Sequence, residues 1–286
     1  MKLLLPALLC AAALAHSDEV AEKGRAVLEA NKSAVITLQT IVEVSFGGQS
    51  RESEGEATGT IIQDDGLTIM SLTALDPTTM YENMGQQGGN VVSKVSAVTM
   101  LLADGTEVPA KVILRDKDLD IAFVRPIEKP ASPMPFVDMR NAGKPQLLEQ
   151  IVVLMQLGQV GRREYAVMVD RVESILTKPR TLYVSADYRS RSFISSPGFT
   201  LDNQFVGLGV MRSIRTRNVS GMGASALLVF VSGEDIQESI SQVPAWGEQI
   251  PEDAAVSEAP EEPEAPAEDS GEESAEPAEP AAEAAE

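Results

Sequence analysis

The sequence predicts an all-β protein built as a barrel or a sandwich, and three observations carry that prediction. Short runs rich in β-branched residues recur through the middle of the chain at fairly regular spacing. Turn-forming pairs separate several of them, at Asp65-Gly66, Asp104-Gly105 and Asp202-Asn203. Helical patterns stand only at the two ends of this β-rich region.

Taken in order, Ser17 to Asn31 reads as a helix: Ser17 caps it, Asp18 and Glu19 suit its first turn, and Val20, Val27 and Leu28 share a stripe. Ser33 to Phe46 is a long β-rich run, and the polar stretch Gly47 to Ala57 is expected to be a surface loop. Thr60 to Gln63 and Leu67 to Ser71 form a hairpin, because Asp64-Asp65-Gly66 between them supplies positive φ cheaply. Tyr81 to Lys94, with Gly85, Gly88 and Gly89, is expected as a flexible insertion. Val98 to Ala103 and Glu107 to Leu114 make a second hairpin, and Asp120 to Arg125 and Met134 to Met139 read as short strands. Gln150 to Gln156 is strongly apolar, and Tyr165 to Thr177 alternates as a long strand. Thr181 to Ala186, Gln204 to Met211 and Ser225 to Val231 complete the strands. Ser232 caps a helix from Gly233 to about Gln242, and Pro244 stops it.

Two segments stand outside the domain. Residues 1–15 have a lysine, an apolar run from Leu3 to Leu14 and Ala13-Leu14-Ala15, the pattern of a secretory signal peptide. That run is short for a membrane anchor, and Leu8-Leu9 before Cys10 does not suit lipidation. An exported, periplasmic or extracellular protein is expected. Removal of the peptide takes away the single cysteine and leaves the single histidine, His16, at the new N-terminus. The domain itself is therefore expected to contain neither disulfide nor imidazole. Fourteen of the acidic residues lie in 251–286 without a lysine or arginine, so removing them from the net charge of −20 leaves −6 for the rest. Their Pro/Ala/Glu composition predicts a disordered, solvating tail. The expected plan is signal peptide 1–15, N-terminal helix 16–32, β domain 33–246 and tail 247–286.

From Thr58 to Pro77 the order of residues resembles the opening hairpin of trypsin-like serine proteases, the HtrA branch in particular. There a glycine-rich hairpin leads into a Thr-x-x-His-Val segment, and this chain has Met70-Ser71-Leu72-Thr73-Ala74-Leu75, with Thr73 at the histidine. Further on, Asp116-Lys117-Asp118-Leu119-Asp120-Ile121-Ala122-Phe123-Val124 is similar to the segment whose second aspartate orients the histidine, which places Asp120 at the triad aspartate. Leu148 to Gly158 and Gln204 to Leu208 are similar to two later strands. The resemblance covers roughly Ser33 to Gln242 and implies two Greek-key β-barrels with a cleft between them. At the Gly-x-Ser-Gly-Gly loop this chain reads Ser192-Phe193-Ile194-Ser195-Ser196-Pro197. Without gaps Ile194 falls on the serine, and Ser195 or Ser196 is the fallback nucleophile. The glycines that shape an oxyanion hole are missing.

A serine hydroxyl needs a base within hydrogen-bond reach, and Thr73 does not accept a proton near neutral pH. Lys94, Lys111 and Lys178 lie in polar contexts that do not suit a Ser–Lys dyad. The expectation is thus a pseudoprotease with no catalytic residue, in which Asp120 caps a turn or is solvated. Asp116-x-Asp118-x-Asp120 opens like a calcium loop, but Ile121 and Ile127 replace the glycine and the bidentate glutamate, so no metal or cofactor is expected. Arg189, Arg191, Arg212, Arg215 and Arg217 form a candidate basic patch for the acidic tail or an acidic partner, while the acidic total disfavours nucleic acid. The methionines are scattered, as core filler.

The resemblance implies a peptide- or protein-binding or scaffold module, with a strand laid in the old substrate cleft; no PDZ domain is expected after Val243, and no membrane span in the mature chain. Two other readings stand beside it: an endopeptidase with a rearranged site at Ser195 or Ser196, and an exported structural protein kept soluble by its tail.

Overall fold

The structure, a computed structural model, describes residues 19–46, 49–76, 91–140, 142–186, 193–213, 226–248 and 250. The expected signal peptide (1–15), the acidic run 251–286, most of the expected insertion (81–90) and Arg189, Arg191, Arg215 and Arg217 lie outside these residues.

Strand periodicity and turn chemistry build two closed six-stranded barrels, antiparallel throughout. The first has strand order β1-β2-β3-β6-β5-β4. Its strands are β1 (Val35–Phe46), β2 (Gln49–Ile61), β3 (Thr68–Ser71), β4 (Val91–Leu101), β5 (Glu107–Asp116) and β6 (Ile121–Pro126). The second is ordered β10-β11-β12-β9-β8-β7. It consists of β7 (Gln150–Gln156), β8 (Tyr165–Leu176), β9 (Leu182–Ser185), β10 (Pro197–Thr200), β11 (Phe205–Ser213) and β12 (Ala226–Ser232). Pairing of β1 with β4 closes the first and pairing of β7 with β10 the second. The architecture is the all-β, two-barrel one expected, with a helix before the first barrel and another after the second.

Local chemistry sets the turns. At Asp64-Asp65-Gly66, Gly66 takes φ 86°, which a side chain resists, and Asp65 Oδ1 accepts from Leu67 N at 3.0 Å. The turn at Gly105 repeats the device, with Asp104 Oδ1 accepting from Thr106 N at 2.9 Å.

Alternation then divides the apolar residues between two environments. On β7, Ile151 and Val153 point into the second barrel, whereas Val152 and Leu154 face a larger core shared by both barrels. On β12, Leu228 and Phe230 point inward, and Val229 and Val231 face the shared core. Phe193 stacks on Phe230 inside the second barrel, with centroids 4.8 Å apart. The barrels are thus joined by buried apolar surface as well as by polar contacts.

Helix α1, residues 19–31, packs over the second barrel, with Gly24 beside Val167 and Val169 of β8. Asn31 Nδ2 donates to Asn203 Oδ1 (2.6 Å), and the Tyr165 hydroxyl donates to Lys32 O (2.5 Å) and Val35 O (3.1 Å). The chain then enters the first barrel as β1. A one-turn helix α2 (Leu72–Leu75) follows β3, capped by Ser71, and α3 (Gly233–Ile240) follows β12, capped by Ser232. Beyond α3 the chain returns to the first barrel. There Trp246 Nε1 donates to Asp65 Oδ2 (2.8 Å), and Arg125 lies over its ring, 5.2 Å from the centroid.

Three expectations need correction, and one strand was not expected. From Gln49 onward the stretch Gly47 to Ala57 is not a surface loop: β2 begins at Gln49 and pairs with β1 as far as Thr60, and Gly47 and Gly48 lie outside the described residues. Partnership with a neighbouring strand overrode a polar composition that buries nothing on its own. Val91 to Lys94 belongs to β4 for the same reason, paired with β1. Met134 to Met139 is not a strand. It is an extended connector between barrels that takes single bonds, Met134 N to Asp64 O and Val137 N to Ile61 O, both 2.9 Å. Finally β10 has a Pro-Gly start that concealed it from propensity.

Close approach of β11 to the 193–196 loop depends on Gly209. A Cβ there would stand 2.2 Å from Phe193 O, a backbone atom that cannot swing away. Gly209→Ala is expected to cost about 3 kcal/mol by overpacking, read as a lowered urea midpoint against the wild type.

Candidate functional site

The resemblance directed attention to Thr73, Asp120 and the 194–196 loop, and the structure brings three of those residues together where the barrels meet. Asp120 ends the β5–β6 turn with φ 59°, in the left-handed region. This turns its carboxylate inward under α2, where only 6% of the residue is exposed. Oδ1 accepts from Thr73 N (2.9 Å) and from Thr73 Oγ1 (2.8 Å), while Oδ2 accepts from Ser71 Oγ (2.9 Å). The backbone of Met211 in β11 adds a donor from the second barrel. Asp120 O also accepts from Leu72 N at 2.9 Å.

From the other side comes Ser195, fully buried and at φ 67°. Its Oγ accepts from Ser71 N (2.9 Å) and donates to Thr58 O (2.7 Å). Its N–H donates to Gly209 O (2.7 Å), and Gly209 N donates back to Ser196 O (2.9 Å). The hydroxyl proton is therefore directed at a carbonyl, and one lone pair is taken by a backbone N–H. Ser196 is buried as well, at 1% exposure. Ile194, which the resemblance sets at the serine, packs half-buried against the core of the second barrel. Lys94, Lys111 and Lys178 are all exposed, on other parts of the surface.

Asp120 is not solvated; it caps the N-terminus of α2 from across the turn. Sequence reasoning missed Ser71 and Thr58. Ser71 carried a signal, since a serine just ahead of a short Leu-Thr-Ala-Leu run is a helix cap. Thr58 carried none, because it contributes a backbone carbonyl that any residue would provide. The three carboxylates of the calcium-like run point to different partners. Asp116 Oδ2 accepts from Ser239, Asp118 Oδ2 from Arg180, and Asp120 from the residues above. Of the candidate basic patch only Arg212 is described, half-buried on β11.

Burial pushes the Asp120 carboxyl up to about 6, against the hydrogen bonds of Thr73, Ser71 and the Met211 backbone, which favour the ionised form. Glu56, on β2, is the opposite case. Burial raises it, but hydrogen bonds from Arg163, Gln39 and Gln159 outweigh that and hold it below its ordinary value. Arg163 reaches it from the β7–β8 turn, so Glu56 is a second polar link between the barrels.

No family model matches the chain, and no curated protein matches it. Two six-stranded antiparallel barrels in this order fit a chymotrypsin-like fold, and at the junction between them Thr73 bonds Asp120 while Ser71 links both to Ser195. Chemically the arrangement is a set of satisfied hydrogen bonds across an interface. Among the described residues no helix is long and apolar enough to cross a membrane.

Removing the Ser195 hydroxyl leaves Ser71 N and Thr58 O buried without it. Ser195→Ala is expected to destabilise the fold by about 2 kcal/mol, measured by chemical denaturation. Asp120 carries a pH signature. Its folded value of about 6 exceeds the ordinary 3.8, so the proton it retains in the fold stabilises fully below about pH 4 and is lost as pH rises through 6. Relative to Asp120→Asn, the wild type is expected to lose about 2 kcal/mol between about pH 4 and pH 8. Parallel stability–pH curves for the two proteins would contradict this.

Proposed function

We propose that this chain is an exported, catalytically inactive relative of the trypsin-like serine proteases, of HtrA type, acting as a peptide- or protein-binding or scaffold module. One observation carries the reading. The fallback nucleophile that faces the first barrel, Ser195 Oγ, is buried and spends its proton on Thr58 O, while Asp120 is surrounded by hydroxyl and backbone donors instead of an imidazole.

Acyl transfer needs a nucleophile that a base can deprotonate and donors aimed at the developing oxyanion. His16, the chain's one histidine, lies ahead of the domain, and a threonine does not replace it. The residues that once served bond breaking now serve cohesion in this reading, which leaves surfaces and edges to do the work of recognition. The N-terminal pattern of residues 1–15 supports export to the periplasm or beyond.

The test is incubation of the purified protein with a fluorophosphonate probe, alongside unfolded casein. Neither labelling nor cleavage is expected. Labelling at Ser195 or Ser196, abolished by alanine there, would instead establish the rearranged endopeptidase.

A further inference from the structure

The strand β2 has one edge that the barrel does not use. It pairs with β1 from Gln49 to Thr60, but with β3 only at Thr60 and Ile61. From Gln49 to Ala57 no strand lies beside its other edge among the described residues.

The direction of each backbone group along that edge follows from three bonds. Ile61 N donates to Ala34 O on the β1 side (2.8 Å), and Ile62 N donates to Leu67 O on the β3 side (2.7 Å). The pairing with β1 has no register shift, so even-numbered residues turn N–H and C=O outward. Thr58 obeys this, its carbonyl meeting Ser195. Ser50, Glu52, Glu54 and Glu56 therefore aim their backbone donors and acceptors at the open edge, a template for one more strand.

The side chains say what kind of strand fits. Glu52 and Glu54 project on one face, exposed and with no ion pair among the described residues. Glu52 stands directly across from Glu43, which has Lys94 directly across from it on its other side, so a cation on an added strand would give Glu52 the neighbour that Lys94 gives Glu43. Along the same strand runs an open cleft of about 810 Å³, lined by Val44, Gln49, Arg51, Glu52, Ser53 and Glu54. Where the open edge ends, Glu56 holds the β7–β8 turn through Gln159 and Arg163. That turn carries Val160, wholly exposed, and Leu157 at 43%.

We propose that the outer edge of β2 docks an extended, cationic segment of a partner protein as an added strand, with basic residues opposite Glu52 and Glu54 and its end against Val160. A second copy of this chain fits less well, because Gln49 to Ala57 has three glutamates against one arginine. The proposal rests on the binding-module reading but not on the loss of catalysis, which the fluorophosphonate test decides separately.

The experiment is fluorescence anisotropy with the full chain and three labelled nonapeptides: alternating Lys and Thr, alternating Glu and Thr, and Lys with Pro at equal charge. Binding is expected for the Lys-Thr peptide alone, weakening about ten-fold in Glu54→Pro, which removes an outward N–H and leaves the β1 ladder intact. Glu52→Lys with Glu54→Lys, which keeps the backbone as it is, is expected to abolish binding and to admit the Glu-Thr peptide. No binding of the Lys-Thr peptide overturns the proposal. Equal binding of both cationic peptides, indifferent to these variants, also overturns it and assigns the attraction to the acidic run 251–286. So does a dimer in sedimentation that Glu54→Pro dissociates, which would give the edge to a second copy.

Discussion

Burying a carboxylate is costly unless donors surround it, and Asp120 imposes that requirement on both barrels. Its donors come from the N-terminal turn of α2 and from β11, so the β5–β6 turn, the β3–α2 junction and the second barrel are held to one geometry. Ser195 extends the same set by bridging Ser71 N to Thr58 O. Two non-glycine residues, Asp120 and Ser195, sit at positive φ in this contact. Such conformations cost about 1 kcal/mol or more each and persist where their surroundings over-determine them. Here the surroundings do so, with every polar atom of the two side chains engaged.

Much of the fold was legible in the sequence because turn chemistry and alternation are local. Asp64-Asp65-Gly66 and Asp104-Gly105 specify their hairpins by positive φ and an aspartate acceptor, and β7, β8, β9, β11 and β12 declare themselves by runs of β-branched residues. The residues 49–57 did not, since a polar strand held by one neighbour has no pattern of its own. The connector 134–139 misled for the converse reason: apolar residues there serve burial against the first barrel without joining a sheet.

The site was legible only in part. A resemblance in residue order pointed to Thr73 and Asp120, which do meet, but it had no means of deciding which residue of the 194–196 loop faces the first barrel. That depends on a left-handed turn at Ser195, beside which Ile194 packs against the core of the second barrel. The resemblance likewise gave no sign of Thr58, whose part is played by its backbone.

The chain's single tryptophan occupies an informative place. Trp246 is half-buried between Arg125 and Asp65, on the first barrel, although it follows a helix that belongs to the second. Arg125 also donates to Pro244 O at 2.8 Å, so the segment is latched at two points. The indole is therefore a native optical gauge of that latch. Its emission senses whether the C-terminal strap lies on the first barrel, and a guanidinium at its face and a carboxylate at its nitrogen make it responsive to the release of either.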